Sequence, residues 1–297
     1  MKKPSNKFVL VFTGTVVAIF LCLAYSYYIE PRRLVINRSE LRVKNWNPAF
    51  DGLKIAMIGD IHGGSNAVDN AKLNEIVQRT NAEEPDFIVL LGDYVSQTAN
   101  QKPPNLKMPM SEIADGLSGL KARYGVYAVL GNHDGRYCDD CVRTELTRVG
   151  YQVLENDVAM IEKDGYRLRI IGLPDHLKIA GWSDFSNNAK QKLVPTDGLG
   201  DVIALEHSPD VLPVITGSLS ISPDLKVILA AHTHGGQVWL PIFGTPIIPS
   251  SYGQKYSYGH IRENNVDMFV TSGIGTSILP IRFMMPPEIV MLTIKTE

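Results

Sequence analysis

The sequence predicts an α/β fold of four layers, an αββα sandwich of two mixed β-sheets flanked by helices, preceded by one transmembrane helix. Three observations support this prediction. Short apolar runs alternate with amphipathic stretches in the first half of the chain, strand-like runs dominate the second half, and an uncharged run of 22 residues lies near the amino terminus. Two packed sheets with helices outside accommodate the surplus of strands better than one doubly wound sheet does.

The uncharged run extends from Phe8 to Ile29, with lysines before it and Glu30 and Arg32 after it. At about 1.5 Å per residue, a helix of this length crosses a hydrocarbon core of roughly 30 Å. The run has no polar face, which argues against a buried soluble helix. A secretory signal is the alternative, although its apolar part is usually shorter. We therefore expect residues 1–30 to anchor the chain as a single-pass protein of the cell (inner) membrane.

The basic residues around this run leave its orientation open. Three lysines precede it and five Lys and Arg residues follow it within residues 31–44. Since the positive-inside rule counts both flanks, the excess after the run favours a cytoplasmic domain by a small margin only. Residues 31–50 are predicted to be a connector, followed by a folded domain over residues 51–297.

Apolar runs in the first half are predicted to be buried strands. Leu53–Ile58, Phe87–Leu91 and Val126–Leu130 are rich in Val, Ile and Leu and do not alternate with polar residues, as expected of strands covered on both faces. Three helix-like stripes lie between and after them. The stripes are marked by Leu73, Ile76 and Val77, by Ile113, Leu117 and Leu120, and by Val142, Leu146 and Val149. This half therefore predicts the order β-α-β-α-β-α.

The second half is predicted to contain seven further strands, two of them joined at the hairpin signal Asp164-Gly165. The strands are Gln152–Leu154, Val158–Glu162, Arg167–Ile171, Val202–Leu205, Val227–Ala231, Met268–Thr271 and Ile289–Ile294. The segments 96–109 and 174–200 are rich in Pro, Gly, Asn or Ser and are expected to be long surface loops.

Acidic, amide and imidazole side chains follow five of the predicted strands. The motifs are Asp60-Ile61-His62, Gly92-Asp93, Gly131-Asn132-His133-Asp134, Glu206-His207 and His232-Thr233-His234. Taken singly they are weak evidence, since an Asp after a strand is often only a helix cap. Together they deliver oxygen and nitrogen donors to one edge of a sheet, which is what a site for two divalent metal ions requires.

Charge and cysteine content exclude other classes of function. The formal net charge is −2 and the basic residues are scattered, so we expect no nucleic-acid partner. Cys138 and Cys141 form a lone C-x-x-C, whereas a structural zinc site usually needs a second pair. Two small residues at the start of a helix is the favoured interpretation of this pair. A local disulfide is the alternative if the domain is exported.

The ordered motifs from Asp60 to Gln237 resemble those of the calcineurin-like metallophosphoesterase superfamily. The downstream segments 273–276 (Gly-Ile-Gly-Thr) and 280–283 (Pro-Ile-Arg-Phe), and the opening segment 29–32 (Ile-Glu-Pro-Arg), resemble the membrane-associated bacterial phosphodiesterase branch. The resemblance covers nearly the whole chain. It implies the αββα fold and a metal-dependent hydrolase of phosphoric esters.

The resemblance also implies roles for eight residues. Asp60, His62 and His234 would hold one metal ion, Asp93 would bridge both, and Asn132, His207 and His232 would hold the second. A hydroxide bound to the metals would attack the phosphorus of a phosphodiester or pyrophosphate, and His133 would protonate the leaving oxygen or steady the charge on phosphate. Mn²⁺ is expected first, with Fe, Zn²⁺ and Co²⁺ suiting the same donors. Asp134 would orient a histidine or cap a helix.

Departures from the superfamily narrow the expected substrate. The protein phosphatases that the motifs resemble carry a carboxylate where Ser96 stands and a glutamate where Asp134 stands. A small-molecule or lipid-linked phosphoester is therefore expected rather than a phosphoprotein, with the membrane contacted through the N-terminal helix and no obligate protein partner. One alternative is a lipid-directed pyrophosphatase such as a UDP-diacylglucosamine hydrolase of lipid A synthesis, which requires a cytoplasmic site. Another is a catalytically silent scaffold, and a third is a redox or zinc protein built on Cys138 and Cys141.

Some chemically capable residues are not assigned to the site. His176 and His260 are expected by default to be solvent-facing loop residues, and contact of His176 with the substrate is the alternative. Four aromatic residues are expected to pack in the core, the commoner place for such side chains, and an apolar rim of the site is the alternative: Trp182, Phe185, Trp239 and Phe243.

Overall fold

The computed structural model describes residues 6–98, 105–194 and 200–297. The helices are α1 (Asn6–Tyr28), α2 (Asn70–Ala82), α3 (Met110–Leu117), α4 (Asn132–Tyr137), α5 (Asp139–Arg148), α6 (Trp182–Leu193) and α7 (Leu212–Ile215). The strands are β1 (Val35–Val43), β2 (Leu53–Ile58), β3 (Phe87–Leu91), β4 (Val126–Val129), β5 (Gln152–Val153), β6 (Asp157–Lys163), β7 (Tyr166–Gly172), β8 (Val202–Leu205), β9 (Leu225–Ala230), β10 (Gly259–Glu263), β11 (Val266–Val270) and β12 (Glu288–Thr296).

The strands form two mixed sheets of six. The first has the order β1-β12-β2-β3-β4-β5 and the second has the order β10-β11-β9-β8-β7-β6. Strands β2, β3 and β4 are parallel to one another, and so are β7, β8 and β9. The carboxyl ends of three strands in each sheet therefore lie along one edge.

Three buried apolar clusters separate four layers. Leu73 and Ile113, on α2 and α3, pack against the outer face of the first sheet. Ile55 and Leu229 belong to the cluster between the two sheets. Phe185, on α6, packs against the outer face of the second sheet. The αββα sandwich predicted from the sequence is confirmed.

The predicted elements differ from the observed ones mainly at the polar segments. Residues 31–50, expected to be a connector, supply β1, which pairs in parallel with β12 at the edge of the first sheet. Charged side chains such as Arg38 and Arg42 make this edge strand look like a linker, because edge strands commonly carry charges. The segment 174–200, expected to be a loop, contains α6. The segment 96–109 lies partly outside the described residues.

Helix α1 is exposed along its length and docks on the domain at its carboxyl end. It belongs to the one stretch, Asn6–Arg32, that is long and apolar enough to cross a membrane among the described residues, with a mean hydropathy of 2.5. The backbone N–H of Arg282 donates to Ser26 O (3.0 Å), and Asn66 Nδ2 donates to Tyr27 O (2.8 Å). The rings of Tyr25 and Phe283 meet edge to face at 6.4 Å. The end of α1 is thus fixed to the domain.

Cys138 and Cys141 are joined in a disulfide. Cys138 caps the amino terminus of α5 and Cys141 lies in its first turn, so the predicted position at the start of a helix is right, but the cysteines are not merely two small residues there. The alternative of a local disulfide is the one found. Because stable disulfides belong to oxidising compartments, this bond bears on where the domain resides.

Candidate metal centre

The structure brings all seven predicted metal ligands and His133 to one edge of the two sheets. Asp60 and His62 follow β2, Asp93 follows β3, Asn132 and His133 begin α4 after β4, His207 follows β8, and His232 and His234 follow β9. The carboxyl ends of parallel strands meet at this edge, which explains how residues so far apart in sequence converge.

Three of these residues form a first group of candidate ligands. Asp60, His62 and His234 each offer one donor atom, and the three atoms lie within 4.8 Å of one another. His62 Nε2 lies 3.1 Å from His234 Nε2, and His234 Nε2 lies 3.8 Å from Asp60 Oδ1. All three residues are buried. The group has the donor types and the spacing for one divalent cation.

A second group lies beside the first and contains Asp93, whose carboxylate also lies near His62 of the first group. The donor atoms of Asp93, His207 and His232 also lie within 4.8 Å of one another. Asp93 Oδ2 is 3.3 Å from His207 Nε2 in this group and 3.6 Å from His62 Nε2 in the first. The same carboxylate therefore faces both groups, as a residue that bridges two metal ions must.

The hydrogen bonds around the histidines leave nitrogen atoms directed into the site. His62 Nδ1 is 3.2 Å from Val95 O and His207 Nδ1 is 2.7 Å from Leu91 O, so in each ring Nδ1–H donates to a carbonyl and Nε2 is the nitrogen that faces the site and could bind a metal ion. Asp60 Oδ2 and Asn132 Oδ1 are buried without a hydrogen-bond partner. Buried polar atoms are rarely left unpaired, and cations would satisfy these. The residues present fit two metal ions.

Backbone conformation at the ligands is unusual. Five of the seven candidate ligands have positive φ angles, from 46° to 70°: Asp60, His62, Asp93, His232 and His234. This left-handed conformation is uncommon for residues other than glycine, and where the surrounding structure holds it, it tends to mark functional sites. The chain turns sharply after each strand so that the side chain stands at the edge of the sheet.

Gly131 allows two of the ligand loops to touch. A Cβ atom at this position would lie 2.3 Å from Asp93 Oδ1 and 2.6 Å from the backbone nitrogen of Asp93. Any side chain would therefore displace the bridging carboxylate. The glycine is needed here because the two loops approach closely.

Asp134 ties the Asp93 loop to the Asn132 loop. Its Oδ2 accepts hydrogen bonds from the backbone N–H groups of Gly131 and Asp93, both at 2.8 Å, and its Oδ1 accepts from Tyr94 at 2.9 Å. The bond from Gly131 is the predicted helix cap, but Asp134 orients backbone amides beside the ligands and not a histidine. Burial and the nearby Asp93 raise the pKa of Asp134 to about 7, while these amide donors favour its ionised form.

His133 lies against the first group, with its ring 4.8 Å from that of His62 and nearly perpendicular to it. Its backbone N–H donates to Asp93 Oδ1 (2.7 Å), and its carbonyl accepts from Gln97 Nε2 (2.9 Å). The ring lines the cavity over the site and its Nδ1 has no hydrogen-bond partner. Burial lowers the pKa of His133, only partly opposed by Asp93, so the neutral imidazole is favoured.

Burial shifts the pKa values of several residues of the site. Burial raises the pKa of Asp60 to about 7 and lowers the pKa values of His62 and His232 to about 3. Burial also opposes protonation of His207, but the Asp93 carboxylate outweighs it and holds the pKa of His207 well above its usual value. Desolvation thus disfavours the ionised carboxylate of Asp60, and a bound cation would offset that cost.

Arg282 supports Asp60 from behind, a role that sequence reasoning did not find. Its guanidinium is fully buried and donates to the carbonyl oxygens of Ser272 (2.8 Å) and Gly275 (2.7 Å). The backbone N–H of Gly275 in turn donates to Asp60 O (2.7 Å). The segments 273–276 and 280–283, which carried the resemblance to a membrane-associated branch, therefore shape the loop around a ligand.

The expectation for His176 is wrong. Its side chain is only 10% exposed, stacks on Trp182 at 5.5 Å, and lies with Asp175 and Glu206 in a buried group next to His207. His176 also lines the cavity over the metal centre. Its position just after Pro174, in a segment rich in Gly, Asn and Ser, suggested a surface loop, whereas in the structure its ring stacks on Trp182 of α6. His260, in contrast, is 44% exposed on β10 and lies 2.6 Å from Asp267.

A cavity of about 890 Å³ opens over the centre. Its lining includes the site residues Asp93, His133 and His232 and the apolar residues Ile247 and Leu279. A substrate that fills it meets donor atoms and apolar side chains together.

Comparison with known proteins agrees with this geometry. The sequence model of the calcineurin-like phosphoesterase family matches residues 53–236. The chain belongs to this family. Members of this family are metal-dependent phosphoester hydrolases, and so is this protein. The family fold implies a site for two metal ions.

Three relatives show how much of the chain is shared. The uncharacterised metallophosphoesterase YkuE of Bacillus subtilis is 28% identical over 92% of this chain and 89% of its own. The phosphodiesterase YaeI of Escherichia coli is 25% identical over 94% and 95%. A transmembrane protein with a metallophosphoesterase domain from Danio rerio is 25% identical over 96% of this chain, which spans 63% of that protein.

Metal binding is predicted to stabilise the fold more at pH 8 than at pH 5.5. The folded pKa of Asp60, about 7, lies above its ordinary value of 3.8, so its contribution to stability is present at low pH and is lost as pH rises through 7. A divalent cation restores that contribution by pairing with the carboxylate. At a hundredfold excess of Mn²⁺ over its Kd, the expected rise in Tm at pH 8 is about 5–10 °C.

This rise is measured by thermal unfolding of the full-length protein with Mn²⁺ or with a chelator. Equal rises in Tm at the two pH values would contradict the role of Asp60.

Asp134→Asn is predicted to weaken both the fold and the metal centre. An amide places an –NH₂ group against backbone N–H donors, which costs about 3 kcal/mol in unfolding free energy and loosens the loops that carry Asp93 and Asn132. Chemical denaturation and Mn²⁺ titration measure the two effects. The control is Asp140→Asn, whose side chain is 94% exposed on α5 and should change neither. Unchanged Mn²⁺ affinity in Asp134→Asn would refute the positioning role.

Proposed function

We propose that this protein hydrolyses a phosphodiester or pyrophosphate bond at a centre of two divalent metal ions. The observation that carries the proposal is the position of Asp93, whose Oδ2 faces His62 of the first ligand group and His207 of the second. A shared carboxylate holds two cations close together, and such a pair clamps the attacking and leaving oxygens of an in-line displacement.

The seven side chains divide the work of holding the metals. Asp60, His62 and His234 would hold one ion, Asn132, His207 and His232 the other, and Asp93 both. When bound, the two ions polarise the phosphoryl group and lower the pKa of water from 15.7 to about 7. The carbonyls of Val95 and Leu91 keep the histidine rings oriented through Nδ1. Because the ligands are imidazole and carboxylate groups, we propose Mn²⁺ as the bound ion, with Fe, Zn²⁺ and Co²⁺ as the next candidates.

His133 acts on the substrate. Because its ring lines the cavity and burial favours the neutral imidazole, we assign it the donation of an N–H hydrogen bond to a phosphoryl oxygen as negative charge grows there. Transfer of a proton to the leaving oxygen, the other role expected from the sequence, requires the imidazolium form that burial disfavours. The fixed backbone of His133, held by Asp93 and Gln97, keeps the ring in place.

The substrate class follows from what surrounds His133. Ser96 offers no carboxylate to pair with it, and Gln97 bonds its backbone instead. The cavity of about 890 Å³ accepts a small-molecule or lipid-linked phosphoester. We propose neither a protein substrate nor an obligate protein partner.

We place the catalytic domain on the oxidising side of the membrane, with α1 as a single-pass anchor in the cell (inner) membrane. The Cys138–Cys141 disulfide supports this side, because cytosolic thiols are kept reduced. A UDP-diacylglucosamine hydrolase of lipid A synthesis requires a cytoplasmic site, so this substrate is disfavoured.

The scaffold and the redox protein are the competing functions. A scaffold would not require the left-handed backbone conformation at five candidate ligands. Nor would it require the buried oxygen atoms of Asp60 and Asn132 that have no hydrogen-bond partner. A redox or zinc role for Cys138 and Cys141 has little support, because the clusters of candidate metal ligands among the described residues contain histidine and carboxylate side chains and no cysteine.

Two substitutions are predicted to separate metal binding from catalysis. Asp93→Asn removes the bridging charge and should lower the metal content of the protein. It should also lower the rate of hydrolysis of bis(4-nitrophenyl) phosphate by at least about 1,000-fold. His133→Asn should retain the metal and turn over about 100-fold more slowly. Metal content and rate are measured together on purified full-length protein with added Mn²⁺.

The exposed His260→Asn variant serves as the matched histidine control and should behave like the parent chain. Full activity in Asp93→Asn would discard the bridging assignment. A parent chain that binds Mn²⁺ and cleaves no phosphodiester or pyrophosphate would favour the scaffold.

The disulfide is predicted to be present in protein taken directly from cells. Alkylation of the denatured chain without reductant should label Cys22 alone, and prior reduction should expose Cys138 and Cys141 as well. Mass spectrometry counts the labels, and the Cys138→Ser/Cys141→Ser variant shows the count expected without the pair. Labelling of all three cysteines before reduction would place the domain in a reducing compartment.

A further inference from the structure

The largest exposed apolar side chains of the domain are concentrated in two loops. Ile242 is 98% exposed, Ile278 89%, Phe243 72% and Ile247 63%, and these are the four most exposed large apolar residues after α1 in the described part of the chain. We call these four residues, together with Trp239 and Leu279, the apolar collar. Contiguous exposed apolar surface marks a binding face, because scattered single residues are the norm.

Folding alone does not explain the collar. Ile242 has a φ of 76° and Ile278 a φ of 55°, so the two most exposed isoleucines both lie in the left-handed region. A β-branched residue is strained there, and Gly or Asn would be accommodated more easily. Two strained isoleucines that bury nothing within the chain point to a contact outside it.

The loops that carry the collar are almost without charge. Residues 237–254 contain no Asp, Glu, Lys or Arg, whereas 20% of the whole chain is charged. Residues 268–287 contain only Arg282, which is fully buried. An uncharged surface of this kind is what a hydrocarbon environment selects.

The collar lies beside the docked end of α1. The backbone N–H of Trp239 donates to Phe283 O (2.9 Å), and the Phe283 ring packs on Tyr25 of α1. Leu240 pairs with Gly244, so that Ile242 and Phe243 form the tip of a short hairpin that starts at this contact. Gln237 holds the second loop, with Nε2 donating to Leu279 O (2.8 Å) and to Ile281 O (3.0 Å).

The end of α1 marks the level of the bilayer surface. Tyr25, Tyr27 and Tyr28 are the last aromatic residues of the helix, and tyrosines are enriched where a transmembrane helix leaves the hydrocarbon. Since the collar is attached at this level, it reaches the interface of the same bilayer. The occupant of this surface is therefore the membrane itself, in continuity with the anchor.

The collar also borders the cavity of the metal centre. Ile247, Ile278 and Leu279 line one part of the cavity, and Asp93 and His232 line another. A molecule that enters between the collar residues carries its apolar part along isoleucine and leucine side chains while its phosphoester meets the metal ligands. This combination fits an amphiphile that leaves the bilayer only partly.

We propose that the apolar collar inserts into the bilayer surface and that the substrate is a phosphoester of a membrane lipid, taken directly from that bilayer. The substrate half of this inference rests on the proposed phosphoester hydrolysis. In the reaction, water adds to phosphorus, the P–O bond to the leaving group breaks, and the leaving oxygen takes up a proton.

Trp239 reports insertion without any need for catalysis. In proteoliposomes of full-length protein, brominated phosphatidylcholine should quench Trp239, which is 37% exposed, and should leave Trp46 unquenched because it is 2% exposed. The Trp239→Phe variant should lose the quenchable signal. Equal fluorescence of the parent chain in brominated and ordinary vesicles would overturn insertion of the collar.

Two chromogenic diesters test the substrate class. 4-Nitrophenyl hexadecyl phosphate, embedded in phosphatidylcholine vesicles, and 4-nitrophenyl ethyl phosphate share the reacting bond and differ only in the chain. With Mn²⁺, we expect kcat/KM to be at least about ten-fold higher for the hexadecyl ester, because a collar inserted in the vesicle surface meets this ester at a high local concentration and the ethyl ester only from solution. A ratio near one would overturn the lipid substrate while leaving the proposed hydrolysis intact.

The Ile242→Asn/Phe243→Asp variant changes the tip of the collar, and neither of the two substituted residues lines the cavity. It should lose about ten-fold in rate on the embedded hexadecyl ester and keep the parent rate on the ethyl ester. Its Tm should not fall, since Asn and Asp tolerate the left-handed region. Tyr166→Asp, at a 54% exposed position on β7, is the matched control and should leave both rates unchanged.

An unchanged hexadecyl rate in the tip variant would overturn the link between collar and substrate. Hydrolysis of neither ester by metal-loaded parent protein would overturn the proposed function and the lipid substrate with it, and the Trp239 signal would still decide whether the collar inserts.

Discussion

The structure of the metal centre depends on one carboxylate, Asp93, held between two groups of ligands. Its Oδ2 lies 3.6 Å from His62 Nε2 and 3.3 Å from His207 Nε2, and its Oδ1 accepts from the backbone of His133. Because each contact belongs to a different loop, the position of this carboxylate couples the edges of both sheets. Asp134 holds the backbone on either side of it, and the absence of a side chain at Gly131 leaves it room.

This arrangement is costly for the protein without cations. Asp60 and the histidines are buried, burial disfavours their charged forms, and several donor atoms have no partner. The sandwich supplies the rigidity that this requires, since the ligands follow strands whose neighbours are buried on both faces. The fold thus sets the separation of the donors before any metal binds, and the metals contribute stability in return.

Anchor, collar and centre form one connected surface. Arg282 lies at the junction: its backbone N–H contacts the end of α1, and its guanidinium shapes the loop that bonds to Asp60. The segment 277–281 continues from that loop to the rim of the cavity. The proposed membrane attachment would therefore also orient the cavity towards the bilayer.

Much of this could be predicted from the sequence because the physics is local. Buried parallel strands require unbroken runs of Val, Ile and Leu, so the bounds of β2, β3 and β8 coincide with the predicted ones. The donors that follow the strands were recognisable from their residue types and order. Segments with mixed polarity were not predictable: β1 is a charged edge strand, and α6 lies in a segment rich in Asn and Ser.

The sequence by itself determined the αββα class, the apolar N-terminal helix and the set of candidate ligands, because each depends on residue type and spacing along the chain. Only the tertiary structure decided that Asp93 faces both ligand groups, that Asp134 bonds backbone amides, that Cys138 and Cys141 are joined, and that His176 is enclosed. It also decided between the core and an apolar rim for Trp239 and Phe243, which are exposed. These outcomes depend on distances between segments far apart in sequence, which no local pattern encodes.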